Sequence, residues 1–567
     1  MQDWTQRFRV PSFSFPQQAR DLPHRAVYTS TVTGAIQVYA WDRLSGTHRQ
    51  VTRHDQGTVL CAVSPDGAYV WWFSDPDGDE RGVWLREPFG GGAQERMSEP
   101  AWPAGLAIGR TLAVAGCSTG EGVTIHAGQS IVYSAKTDAS VAALSDDESL
   151  IAIEHSEYSD ARRRAVRVLR PDGSVAGELW DGPGLGLRVS GTGFEPGGHR
   201  LLLSHDRDGR PEPLIWDPLT GAETPVTLGL AGEVTAKWYP DASALLVLHA
   251  YHARHELYRY DLGTSTLTRL DSPPGYVLGA AAQRDGGVEL KWTSAEHAPT
   301  IRRLDGTVLL GVEAPPSVPL EDAWVGDVHA LIARPAGEGP HPAVFYLHGG
   351  PDAQDVDMYS PMRAAFVDAG YCVIHVNYRG SHGYGLAWRD ALVGNPGHPE
   401  LEDTAAVYDW AVAQGIADPA RCVIGGASWG GYLTLLGLGT QPERWAAGLA
   451  LVPIGDTVAL YEDEMEPVRE YDRALFGGSP DEIPEVYARS SPMTYVDNVA
   501  APVLITAGLN DPRCPIRNVE NYVNRLAALG KPHEVYRFDA GHSSFVVAER
   551  IAQARLQLDF LARHVPA

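Results

Sequence analysis

Cysteine is scarce in this chain of 567 residues: five are present, scattered and without a CxxC pair. That supplies neither a disulfide framework nor a zinc site, and no metal or cofactor is expected. Positive charge is also short, with 46 Lys and Arg against 71 Asp and Glu and a formal net charge of -25. Such a surface repels nucleic acid and anionic membranes. Long apolar runs are missing too, since no stretch reaches about 18 consecutive apolar residues. The polar start MQDWTQRFRV has no signal-peptide core behind it. These absences point to a cytoplasmic protein with a small or peptide-like substrate.

What is present divides into two halves. From 23 to 312 short apolar or alternating runs are broken by turn residues, the pattern of an all-β domain. A weak repeat runs through it: AVSPDGAYVWWF at 62–73, AALSDDESLIAI at 142–153, GFEPGGHRLLLS at 193–204 and KWYPDASALLVL at 237–248. Each is strand, Pro/Asp/Gly turn, strand, and the turns recur at roughly 40 to 50 residues or twice that, one four-stranded blade per repeat. A degenerate copy at 105–116, an opening unit at 24–42 and a closing one at 279–292 bring the count to seven. A pair of β-sandwiches, the competing architecture, rarely keeps so long and regular a period. The expected fold is therefore multidomain, a seven-bladed β-propeller followed by an α/β-hydrolase domain. Residues 1–22 form an N-terminal extension expected to pack on the hydrolase domain, 23–312 the propeller and 313–567 the hydrolase, which opens with the linker EAPPSVP.

In that second half, apolar strands alternate with helical stretches, as in a mostly parallel sheet covered on both faces. GGASWGGY (425–432) holds the pattern G-x-S-x-G around Ser428, between the strand RCVIG and the apolar stretch YLTLLGL. A nucleophile elbow needs that placement: the serine sits on a strained strand-to-helix turn, and neighbours without a Cβ let the backbones approach. α/β-hydrolases order their triad Ser, Asp/Glu, His. Asp511 follows the strand APVLITAG and His542 follows HEVYRF, each just past a strand end. Three hits in the required order outweigh the bland readings of a turn-capping Asp511 and a loop His542. Ser428 is thus read as nucleophile, His542 as general base then acid, and Asp511 as the group that orients the imidazole. The backbone N–H of Trp429 is one expected oxyanion donor. Gly350 in HGGP (348–351) is the second, with Gly349 as its substitute.

Together HGGP, NYRGSHGYG (377–385), LEDTAAVYDWA (401–411), GGASWGGY, GLNDPRCP (508–515) and the GH at 541–542 resemble the prolyl oligopeptidase family of serine peptidases, closest to its acylaminoacyl-peptidase branch. The resemblance is specific over about 320–567 and architectural over the propeller half. It implies a propeller capping the hydrolase and restricting access to short peptides. It also implies that Arg513 binds a substrate backbone carbonyl, and that the segment 461–477 lines the pocket for the residue before the scissile bond, with Val468 and Tyr471 facing it. Relatives often assemble, which leaves room for a homo-oligomer. The chain departs from the pattern in its short N-terminal extension and in Tyr378, where many relatives have proline. It also lacks the paired-glutamate helix of dipeptidyl peptidases, which disfavours dipeptidyl release.

Two further motifs are weaker. His249, His252 and His255, three apart on a strand, point to opposite faces and suit no common metal. DPDGDE (75–80) reads as a hairpin turn, but its Glu80 can reach the cleft between the domains, to meet a substrate amine or to pair with Arg513. The expected activity is hydrolysis of short peptides through an acyl-enzyme, as an acylaminoacyl peptidase, aminopeptidase or oligopeptidase. The same triad would serve an esterase or a biosynthetic acyl hydrolase or cyclase. A non-catalytic peptide-binding protein is the remote reading.

Overall fold

A computed structural model describes residues 3–567; Met1 and Gln2, at the start of the expected extension, lie outside the described residues. Seven four-stranded antiparallel sheets follow one another over residues 17–50, 61–96, 102–135, 139–179, 187–225, 233–269 and 276–310, here blades 1 to 7. The turn chemistry recurs with them. Asp66 accepts from the Ser64 hydroxyl at 2.6 Å and the Ala68 N–H at 2.9 Å, and Asp147 does the same for Ser145 and Ser149. These side chains supply the turn with bonds that the strands cannot. The second strand of blade 4 is buried on both faces at Ile151, Ala152 and Ile153, because the blade is covered by its neighbours. The ring closes through side chains: Glu289 of blade 7 accepts from Gln18 at 3.0 Å and Arg43 at 2.6 Å in blade 1.

The second half is an eight-stranded sheet. In spatial order its strands are Glu321–Val325, Val328–Ala333, Cys372–Asn377, His341–Leu347, Ala417–Ala427, Ala447–Leu451, Val503–Gly508 and His533–Phe538. The first three run antiparallel to one another in succession and the others pair in parallel. The sequence reading missed Glu321–Val325. It is an edge strand that buries only Ala323 fully, so it carries no apolar run. Apolar clusters lie on both faces of the sheet, around Phe345, Ile424 and Ile505 on one side and Val344, Val423 and Leu504 on the other. No helix among the described residues is long and apolar enough to cross a membrane.

The N-terminal segment bridges the two halves. Phe8 packs on Ala365, Ile551 and Ala554 of the hydrolase half, and Arg7 donates to the Pro316 carbonyl at 2.9 Å and pairs with Asp368. Gln17–Gln18, inside the segment read as an extension, form the edge strand of blade 1. Blades 1 and 2 also close directly over the end of the sheet. Gln56 donates to the Asp539 carbonyl at 2.8 Å and Asn510 to the Asp77 carbonyl at 3.0 Å. Gly541 approaches Gly78 so closely that a Cβ on it would lie 1.8 Å from the Gly78 oxygen.

Candidate active site

Ser428 joins the strand Ala417–Ala427 to the helix Trp429–Thr440 with φ +58° and ψ −120°. A side chain rarely adopts that backbone, and such strain persists only where the surroundings enforce it. They do so by close packing. A Cβ on Gly426 would lie 2.4 Å from the Leu347 carbonyl oxygen, one on Gly430 2.1 Å from the same atom, and one on Gly431 2.7 Å from that of Leu451. The cluster of glycines is thus a packing requirement: the helix starts against the ends of two neighbouring strands.

Asp511 and His542 arrive from the next strands, beyond Gly508 and Phe538. The His542 Nδ1 lies 2.7 Å from Asp511 Oδ2, and Asp511 Oδ1 accepts the N–H groups of Arg513 and Cys514, both at 2.9 Å. Asp511 is 5% exposed, so its charge is held by hydrogen bonds rather than by water. Cys514 completes the group: its sulfur lies within 4.8 Å of donor atoms of both Asp511 and His542. Its thiol also meets the Ser428 hydroxyl, and burial, reinforced by the Asp511 carboxylate, pushes its pKa well above the usual thiol range. The structure therefore brings Ser428, Asp511 and His542 together and adds a thiol that sequence reasoning had placed only as scattered. His249, His252 and His255 do not converge: His249 faces Glu256 at 3.3 Å, and His255 bonds the Val277 carbonyl at 3.0 Å.

Trp429 is 3% exposed, with its ring in the core beside Tyr432 rather than beside the cleft. Its indole N–H donates to Glu400 at 3.1 Å, and Glu400 also accepts from the Gly397 N–H at 2.8 Å. Burial pushes the Glu400 carboxyl up to about 8. Glu400 thereby anchors the residue whose backbone follows the nucleophile, and only its place in the LEDTAA helix hinted at it. The HGGP loop is fixed by Tyr378. The phenol donates to the His348 carbonyl at 2.8 Å, its ring stacks on His348 at 4.2 Å, and His348 reaches Ser381 at 2.8 Å. The tyrosine at the position of departure from the family pattern thus ties down the expected oxyanion loop. Gly349 packs against Ser428, where a Cβ would lie 3.3 Å from the serine Cβ, while Gly350 follows with φ +125°.

A cavity of about 300 Å³ opens between the propeller and His542, lined by Val59, Leu60, Phe73 and Phe545 with Asp75, Glu80 and Arg513. Glu80 clasps Arg513 with two bonds of 2.6 and 2.9 Å. Of the two partners expected for Glu80, a substrate amine and Arg513, the structure has it on Arg513. Its own turn is held by Asp75, which accepts from the Gly78 N–H at 2.9 Å and the Glu80 N–H at 2.8 Å. Burial raises Asp75 to about 6. Val468 and Tyr471 do not line this cavity. They lie one turn apart on the helix Glu466–Phe476, where Tyr471 sits beneath the Arg162 guanidinium at 5.6 Å. Replacing Glu80 with Gln is expected to raise KM about fivefold with kcat within about twofold, the loss of one charge-assisted pair at a partly wet site. Steady-state kinetics on a short peptide measure it, and unchanged constants would remove Glu80 from substrate binding.

Residues 358–566 match the model of the prolyl oligopeptidase family. Curated relatives include dipeptidyl peptidase family member 6 of Caenorhabditis elegans, 32% identical over 199 residues, which covers 34% of this chain and 26% of the relative. The acylamino-acid-releasing enzyme of Arabidopsis thaliana is 31% identical over 203 residues, 35% of this chain and 27% of the relative. The chain thus spans about a quarter of the length of either protein in the matched region. Among solved structures, a puromycin-hydrolyzing peptidase of Mycobacterium tuberculosis superposes with a TM-score of 0.85 over 99% of this chain and 95% of that one, at 21% identity. That likeness extends the shared fold to the propeller and so to the whole chain.

Proposed function

We propose that this chain is a serine peptidase that hydrolyses short peptides through an acyl-enzyme on Ser428. The observation that carries the reading is the 2.7 Å bond between Asp511 and His542 beside a serine held on a strained strand-to-helix turn. In the proposed cycle the Ser428 hydroxyl attacks the scissile carbonyl and its proton passes to His542 Nε2. The proton then goes to the leaving amine as the C–N bond breaks, and water repeats the sequence to release the acid. Asp511 accepts from Nδ1–H, fixes the tautomer and stabilises the imidazolium. The N–H groups of Trp429 and Gly350 are the proposed oxyanion donors, each worth roughly 10²- to 10³-fold in rate. The Arg513 guanidinium, aimed by Glu80 at the cavity beside His542, is placed to hold a peptide carbonyl. The propeller hairpin seated on the catalytic loops favours narrow substrates.

The test is a matched series of short peptides, N-acetylated and free-amino, run beside p-nitrophenyl esters of the same acyl groups. The expected result is peptide kcat/KM within the ordinary enzyme range of about 10⁴ M⁻¹s⁻¹ or more for one series. Ester turnover with no peptide cleaved in either series would replace the peptidase reading with an esterase.

A further inference from the structure

The groups beside Ser428 make up a donor set of a second kind. Asp511, Cys514 and His542 offer a carboxylate oxygen, a thiol sulfur and an imidazole nitrogen that all lie within 4.8 Å of one another. Zinc holds such ligands at about 2.0–2.3 Å, so the ligands of one tetrahedron stand roughly 3.3–3.7 Å apart. The 2.7 Å pair of Asp511 and His542 is tighter than that and the 4.8 Å limit looser. Side-chain movements of about 1 Å therefore close the set on a metal. Two of the ligands share one turn, since Asp511 Oδ1 accepts the Cys514 N–H at 2.9 Å. Closely spaced cysteines are the usual sign of a zinc site, and the chain has none. This set is assembled from two loops instead, with Asp511 and His542 31 positions apart.

The surroundings suit a divalent cation. The nearest guanidinium, that of Arg513, is matched by Glu80 through two bonds of 2.6 and 2.9 Å, so it does not repel a metal with its full charge. The cavity of about 300 Å³ that His542 lines supplies an entry path, and Asp75 and Glu80 stand in its wall. A formal net charge of -25 concentrates cations around the whole molecule. Burial and the Asp511 carboxylate keep the Cys514 thiol protonated in the metal-free protein. A bound cation reverses that field, and a coordinating thiol gives up its proton outright.

We propose that Asp511, Cys514 and His542 form an inhibitory site for a soft divalent cation, zinc above all. On binding, bonds form from the metal to the Cys514 sulfur, a His542 nitrogen and an Asp511 oxygen, the thiol proton leaves to solvent, and water takes the fourth position. Either ring nitrogen serves the inhibition. Bound through Nε2, His542 has no lone pair for the Ser428 proton; bound through Nδ1, it loses the hydrogen bond by which Asp511 orients it. The sulfur ligand selects zinc over magnesium and calcium, which prefer oxygen. The inference goes beyond the peptidase reading, because a metal on these three side chains blocks any acyl substrate alike.

The experiment uses full-length wild type, Cys514→Ala and Cys514→Ser, with p-nitrophenyl acetate as substrate in buffered free zinc, magnesium or calcium. At about 100 µM free zinc a site with a Kd of about 10 µM is roughly nine-tenths filled, so the wild-type rate is expected to fall about tenfold. A chelator should restore it, and magnesium and calcium should leave it unchanged. Each variant, measured against its own metal-free rate, should need at least about tenfold more zinc, since losing even an outer-shell partner costs roughly 10- to 100-fold in affinity. Cobalt(II) gives a readout apart from activity: its thiolate charge-transfer band should appear in wild type and in neither variant. A wild-type rate indifferent to zinc overturns the proposal, as do variants inhibited at the same zinc concentration as wild type, or a cobalt band that persists without Cys514. Fluorophosphonate labelling separates the two proposals. Its failure removes the nucleophile while the cobalt band still decides the metal site, whereas labelling without the band removes this inference alone.

Discussion

Replacing Ser428 with alanine is expected to lower kcat by roughly 10⁵- to 10⁶-fold and to abolish fluorophosphonate labelling, because the triad acts as a unit and the residual rate comes from binding and oxyanion contacts alone. The variant should fold normally. The Ser428 side chain caps no helix N–H, so truncating it removes no bond that the helix Trp429–Thr440 depends on. The backbone keeps the same φ of +58° with either residue, and any strain is common to both proteins. The melting temperature is therefore expected to stay within about 2 °C, a stability change below about 1 kcal/mol. Single-turnover kinetics at high enzyme concentration, mass spectrometry after labelling and a thermal melt together decide it. A folded variant that retains more than a tenth of the activity would show that another group is the nucleophile.

The second large effect concerns folding rather than chemistry. Gly430→Ala is expected to destabilise the hydrolase domain by at least about 4 kcal/mol or to prevent its folding. The new Cβ would lie 2.1 Å from the Leu347 carbonyl oxygen and 3.0 Å from that of His348. Those neighbours are backbone atoms within the sheet and the HGGP loop, and no rotamer change relieves the clash. Helix and strand must separate, which opens the packing that enforces the strained serine. A fall of about 8 °C or more in the melting of this domain would follow from that energy. Gly120→Ala in a turn of blade 3 is the control, since a Cβ there meets nothing within 4 Å, and it is expected to change stability by no more than about 0.5 kcal/mol. If the two variants melt alike, the close approach of helix and strand is wrong.

The same packing explains why some of the site was readable from residues alone. A strained strand-to-helix turn tolerates few side chains, so its demand appears as a local run of glycines around Ser428. Asp511 and His542 were readable because each comes within a few residues of the end of its own apolar strand, and parallel strands deliver their C-terminal loops to one edge of the sheet. The blades were readable because each repeats a strand, a turn with its own hydrogen-bonding aspartate, and a strand. Cys514 and Glu400 were not readable in these roles. Each occupies a position where the local pattern is satisfied by many residue types, and its meaning comes from burial beside groups distant in the chain. The edge strand Glu321–Val325 escaped for the opposite reason: one buried residue leaves no pattern.

By itself the sequence determined the two-domain order, the strand and helix periods and the three residues in triad order, because these arise from backbone geometry and side-chain alternation over a few residues. Only the tertiary structure decided that Glu80 holds Arg513 across 433 residues of chain, that Gly541 must lack a side chain beneath Gly78, and that the buried Cys514 stands beside Asp511 and His542. Those outcomes depend on how the propeller docks on the sheet and how helices cross beneath the nucleophile. Such contacts form between surfaces brought together by the summed burial of the whole core, which no short stretch of sequence encodes.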